Sequence, residues 1–204
     1  MADKKRVFVA IDVPDEVRRI AADHMSALKQ AIPEFSNWAA SWIRPEKLHV
    51  TIRFIGDCSD EEVHEITHAL DRAVGEVSTG PITVATIGVF PNLKRPRVLW
   101  LGIQDPSDVL NSVKTKLEER YDFGSISGER PELKPHLTLA RIKDPARLHD
   151  VIEKHLSAEI RPLSFTPTEV ILFESQLLPS GAVHTPLRRV PLRNNITTKG
   201  TNEH

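Results

Sequence analysis

Cysteine is almost missing from this chain: Cys58 stands alone among 204 residues. That excludes an intrachain disulfide and fits a reducing compartment, so a cytoplasmic location is expected. No apolar run approaches the roughly twenty residues of a membrane span. The opening stretch MADKKRVFVAIDVPDE returns to charge too soon for a signal-peptide core. Neither sign of charge dominates, and a net charge of −1 supplies no global basic field for gathering nucleic acid, so any attraction for anions has to be local. A glycine-rich phosphate loop is also lacking. After the first apolar run stands Asp12-Val13-Pro14, which argues against a dinucleotide or P-loop enzyme. No low-complexity linker divides the chain, and its 40% hydrophobic and 27% charged residues are an ordinary globular balance. One domain over residues 1–193 is expected, followed by a polar, disordered tail at 194–204.

What is present has an order. Apolar, β-branched runs at Arg6–Asp12, Lys47–Ile55, Ile82–Phe90, Arg97–Ile103, Glu169–Leu177 and Ala182–Leu192 predict strands. Helical spacing follows Pro14-Asp15 to about Ala31, Ser59 to about Val77, Asp105-Pro106 to about Tyr121, and Ala146–Leu156. Ser59 suits a helix cap, with Asp60-Glu61-Glu62 in the first turn. The order then repeats. RVFVAIDVPDEVRRIA and RVLWLGIQDPSDVLNSVK each give a strand, an Asp/Pro turn and a helix, and each leads to a strand containing His-x-Thr-x. This is an internal duplication. Two copies are too few for a solenoid, so two facing lobes of one α+β domain are predicted.

The repeated phrases are His49-Val-Thr51-Ile and His136-Leu-Thr138-Leu, 87 positions apart. Alternation along a strand puts His49 and Thr51 on one face and Val50 and Ile52 on the other, and likewise for the second copy. One such motif carries no weight, because threonine is common in strands. Two at equivalent points of a duplicated unit predict a shared cleft. Paired imidazoles suit displacement at phosphorus: one takes a proton from water, and the other gives a proton to the departing oxygen. Threonine hydroxyls can hold the phosphoryl oxygens. No cofactor or metal is called for.

At these residues the sequence resembles the 2H phosphoesterases, and among them the RNA 2′,3′-cyclic phosphodiesterase (2′-5′ RNA ligase) family. The likeness includes WIRPEKLHVTIRFIGD, VFPNLKRPRVLWLGI, PHLTLARIK and LFESQLLPSGAVHTPLRRVPL. The resemblance implies a bilobal fold, with antiparallel sheets lining a central cleft and helices outside. It also implies metal-independent opening of an RNA 2′,3′-cyclic phosphate to a 2′-phosphate, with reversible 2′-5′ joining by the same groups. His49 would then be the proton donor to the leaving oxygen and His136 the base, while Thr51 and Thr138 hold phosphate. Arg141, on the Thr138 face by a loss of parity but only three residues on, is a weaker candidate for phosphate or ribose contact. His184 stands where relatives carry an aromatic, often tyrosine. It is read as a surface substitution, the other possibility being a third cleft histidine. The implied partner is RNA with cyclic-phosphate ends, tRNA halves among them, acted on by a monomer.

Lys94, Arg95 and Arg97 in LKRPR would contact the RNA backbone or simply make a solvated turn. Arg44, Lys47, Arg53 and Lys134 are further basic candidates near the motifs. Two other classes stay open: an RNA-end binding module without turnover, and a zinc hydrolase using HEITH, His64 to His68. Against zinc, both histidines fall off the apolar stripe of their helix and no third ligand is evident. GSISG resembles a nucleophile elbow, but Ile126 occupies its centre. Cys58 has no partnered base and is read as structural.

Overall fold

Strand-forming and helix-forming segments alternate along the chain as their periodicities predict. The computed structural model describes residues 4–32, 34–124, 126, 132–178 and 181–194. The tail beyond residue 194, Ser125, Ser127 and Gly128 of GSISG, and Pro179 and Ser180 of LPSG lie outside the described residues. The elements are β1 (Lys5–Asp12), α1 (Asp15–Lys29), β2 (Ala40–Trp42), β3 (His49–Cys58), α2 (Asp60–Val74), β4 (Ile82–Phe90) and β5 (Val98–Gln104). There follow α3 (Val109–Arg120), β6 (His136–Ile142), α4 (His149–Leu156), β7 (Leu163–Phe165), β8 (Glu169–Leu178) and β9 (Gly181–Pro191). No helix among the described residues is long and apolar enough to cross a membrane.

The helix ends have local causes. At α2, Ser59 accepts from the Glu62 amide while the Glu62 carboxylate accepts from the Ser59 amide, a closed capping box. At α3 the Asp105 carboxylate accepts from the amides of Val109 and Leu110 at 3.0 and 2.7 Å. Those bonds hold the chain out of the helix until Val109, four residues later than the Asp-Pro signal alone implies.

The strand order is β7-β4-β5-β6-β3-β1-β8-β9, with β2 also paired to β6. Every pairing between named strands is antiparallel. The order is palindromic about the β6/β3 seam: β5 answers β1, β4 answers β8 and β7 answers β9. That is the pseudo-twofold predicted from the duplication. The two lobes are halves of one continuous sheet, joined at the seam by the Val50–Leu137 pair. Val50, Ile52, Leu137 and Leu139 point into the core that also holds the inner faces of α1, α2 and α3. Helices therefore cover one face of the sheet. The other face is left for the cleft.

Candidate active site

Pairing Val50 with Leu137 in antiparallel sense runs His49 toward Thr138 and Thr51 toward His136. The register thus sets each imidazole across the seam from the other lobe's threonine. All four side chains line a single cavity of about 650 Å³. The two rings are anchored alike. His49 Nδ1 lies 2.8 Å from the Lys47 carbonyl, and His136 Nδ1 lies 2.6 Å from the Lys134 carbonyl. A carbonyl only accepts, so each Nδ1 carries the hydrogen and, in the neutral ring, each Nε2 is the nitrogen able to accept a proton. Arg18 steadies the turn ahead of β3 by donating to the carbonyls of Pro45 and Leu48 at 2.8 and 3.3 Å.

Strict alternation fails just past each threonine, in the same way in both lobes. On β3, Thr51 pairs with Ala10 and Arg53 with Val9, leaving Ile52 as an extra residue. On β6, Thr138 pairs with Trp100 and Ala140 with Leu99, leaving Leu139 extra. Each is a β-bulge that reverses the parity of the residues after it. Arg53 and Ala140 turn into the core, while Phe54 and Arg141 turn into the cavity. The bulge at Leu139 is the loss of parity that sets Arg141 on the cavity face with Thr138 and His136. The corresponding bulge at Ile52 of β3 overturns the reading of Arg53 as an RNA contact. Its side chain is buried, 3.3 Å from Glu118 and stacked over Phe123. Phe54, 54% exposed in the cavity, is a cleft residue that strict alternation assigns to the other face. Its signal was the shared offset, since Phe54 stands five residues past His49 as Arg141 stands five past His136.

A family model described as the 2′-5′ RNA ligase superfamily matches residues 4–177. The chain belongs to the 2′-5′ RNA ligase superfamily. A Methanothermobacter thermautotrophicus relative named RNA 2′,3′-cyclic phosphodiesterase is 28% identical over 90% of this chain and 97% of its own length. A Thermotoga maritima relative of the same name is 28% identical, over 89% and 92%. Among solved structures, a Thermus thermophilus protein superposes with a TM-score of 0.72 at 26% identity, covering 93% of this chain and 99% of the other. E. coli LigT in complex with 3′-AMP gives 0.68 at 26% identity, covering 94% and 99%.

In this superfamily member the two imidazoles are buttressed by matching aromatics. Phe173 of β8 lies 6.3 Å from His49 between ring centroids, and Phe90 of β4 lies 4.9 Å from His136. Phe8 stands 5.0 Å from His49, while Trp100 packs at 5.0 Å on Phe90. Gly88 permits the Trp100 position, because a Cβ there would fall 2.2 Å from the indole ring. Burial lowers the pKa of both His49 and His136, and the Arg141 charge pushes each the same way. The Asp12 carboxylate acts upward on His49.

The cavity of the superfamily member also takes in Ser41, Trp42, Arg44, Lys47, Leu177 and His184. His184 is therefore a cleft residue, and its reading as a surface substitution is corrected. Lys94 and Arg95 are exposed on the β4–β5 connection, and Arg97 donates to the Lys143 carbonyl at 3.3 Å. None of the three is brought into the cavity. Lys134 pairs with Glu132 at 3.4 Å, and its carbonyl rather than its ammonium serves the site. His64 and His68 lie exposed on α2, Nε2 to Nε2 3.1 Å apart, away from the cavity. Among the described residues no group of three or more metal-ligating side chains is gathered. Cys58 is buried, and burial pushes its thiol up to about 11.

Proposed function

We propose that this protein opens 2′,3′-cyclic phosphates at RNA 3′ ends by paired-imidazole acid–base catalysis, leaving a 2′-phosphate and a free 3′-hydroxyl. The observation that carries the reading is the pair of carbonyl-anchored imidazoles sharing one cavity across the seam. His136 Nε2 takes a proton from water as the water oxygen bonds to phosphorus. The bond from phosphorus to the 3′ oxygen breaks, and His49 Nε2 supplies the proton which that oxygen needs. Burial lowers His49 and His136 alike, but the Asp12 carboxylate acts upward on His49 and not on His136, an asymmetry that supports His49 as acid and His136 as base. Thr51, Thr138 and Arg141 hold the non-bridging oxygens. With a 5′-hydroxyl in place of water in the same step, His136 taking the hydroxyl proton and His49 protonating the departing 3′ oxygen, the same groups would join two RNAs through a 2′-5′ link. RNA fragments such as tRNA halves would approach across Lys94, Arg95 and Arg97, whose charges suit the backbone. The protein would act as a monomer in the cytoplasm.

The test is an oligonucleotide ending in a 2′,3′-cyclic phosphate, incubated with the protein in EDTA. Conversion to the 2′-phosphate is expected, with turnover falling about 10²–10⁴-fold in either His49→Ala or His136→Ala. An intact cyclic end would overturn the hydrolytic reading. Retained binding without product would leave an RNA-end binding module.

A further inference from the structure

The proposed reaction employs His49 and His136 but leaves a third imidazole in the same cavity without a task. His184 enters from β9, paired with Ser175 of β8. Its ring stands edge-on to two neighbours, with centroids 5.3 Å from His49 at 81° and 5.0 Å from Phe8 at 79°. The strand bearing it is tied to the anchor of His49, because Lys47 Nζ donates to the Ala182 carbonyl at 2.7 Å and the Lys47 carbonyl holds His49 Nδ1. The two rings are held as one unit.

His184 Nδ1 is enclosed and has no hydrogen-bond partner. A proton there would bury an N–H with no acceptor and a charge with no counterion, so the ring stays neutral with Nδ1 bare. The hydrogen of a neutral imidazole must then sit on Nε2, the nitrogen left to the cavity. Burial first, then the charges of His49 and Lys47, lower the His184 pKa to about 4, so the ring remains neutral while His49 exchanges its proton.

We propose that His184, through Nε2–H, is a neutral hydrogen-bond donor to the ribose-phosphate oxygens on the His49 side of the cleft. It is thus a specificity determinant for the nucleotide whose oxygen departs. The inference rests on the cyclic-phosphate reading and adds a substrate contact to it. Negative charge grows on that side as the phosphorus–oxygen bond breaks, and a fixed neutral donor stabilises it without competing for the proton that His49 delivers.

Two substitutions separate donation from packing. His184→Phe keeps an aromatic ring against Phe8 and His49 but removes the N–H; His184→Gln restores an N–H donor without the ring. Both are measured for turnover of the cyclic-phosphate oligonucleotide and, by calorimetry, for binding of adenosine 2′-phosphate, with melting temperature as the check on folding. His184→Phe is expected to lower kcat about tenfold and weaken nucleotide binding about fivefold, and His184→Gln to recover most of both. A His184→Phe variant equal to wild type overturns the proposal, and so does a His184→Gln variant that falls as far as His184→Phe. Failure of the wild type to open the cyclic phosphate would instead sink the hydrolytic reading, and the calorimetry would still decide the donor.

Discussion

At the scale of the residue, a backbone carbonyl two positions upstream decides what each cleft imidazole can do. With Nδ1 committed to Lys47 or Lys134, only Nε2 is left to exchange protons. The environment then sets when it does so. Burial lowers both pKa values from 6.5, and Arg141 lowers both further. The bell-shaped dependence of kcat/KM, which reports the free protein, is therefore expected to peak on the acid side of pH 6.5. A bound phosphate favours the imidazolium of either ring, so the profile of kcat should lie at higher pH. Arg141→Gln removes the nearby cation and should move both limbs of kcat/KM upward, besides weakening substrate. Steady-state rates from about pH 5 to 9 check this, and a profile unmoved by Arg141→Gln would mean that its charge does not reach the rings.

At the scale of the element, the motif strands show what a sequence can and cannot say. The parity of His and Thr two apart was legible, because strand alternation up to the threonine is undisturbed. The bulges at Ile52 and Leu139 were not. An extra residue in one strand is defined by its partner's spacing, and neither Ile-Arg nor Leu-Ala marks it in composition. Hence strict alternation counts Arg53 with His49 and Thr51 and sends Phe54 to the opposite face. The strands β2 and β7, three residues long, are too short for periodicity to register. Since the bulge delivers Phe54 to the cavity as an exposed ring, it is placed to stack on a base. Phe54→Ala is expected to raise KM for an oligonucleotide about fivefold or more and to leave the melting temperature nearly unchanged. A lowered melting temperature with KM unchanged would make the ring structural. The contrasting case is the α2 cap. Ser59→Ala breaks the capping box far from the cavity and should cost about 1 kcal/mol of stability in denaturant titration, with kcat as in wild type.

At the scale of the whole molecule, two pseudo-equivalent halves set the cleft on the seam of a palindromic sheet, and burial lowers the pKa of the histidines in and behind it. A second pair lies behind β4, where α1 meets α4. His155 Nε2 is 3.0 Å from the Gly88 carbonyl, so it donates there, and His155 Nδ1 must accept from His24 Nε2 at 2.8 Å. A proton added to His155 Nδ1 would break that chain. Burial is the largest cause lowering His24, His49, His136, His155 and His184, with His24 and His184 brought to about 4. The unfolded chain takes up these protons near pH 6.5, whereas the folded one refuses them until lower pH. Between the two the unfolded state binds more protons, so stability is complete above pH 6.5 and declines toward pH 4. The carboxylates held low by ion pairs or caps, Asp57, Glu62 and Glu76, have ordinary values of 3.8 to 4.5, and their contributions fade only below those. The window from about pH 6.5 to 4.5 therefore belongs to the histidines. Melting temperature is expected to fall across it, and to fall less when adenosine 2′-phosphate occupies the cleft. His24→Gln can still donate toward His155 but cannot titrate, so its decline should be shallower than that of wild type. A melting temperature constant through that window would mean that the buried imidazoles are protonated as readily folded as unfolded.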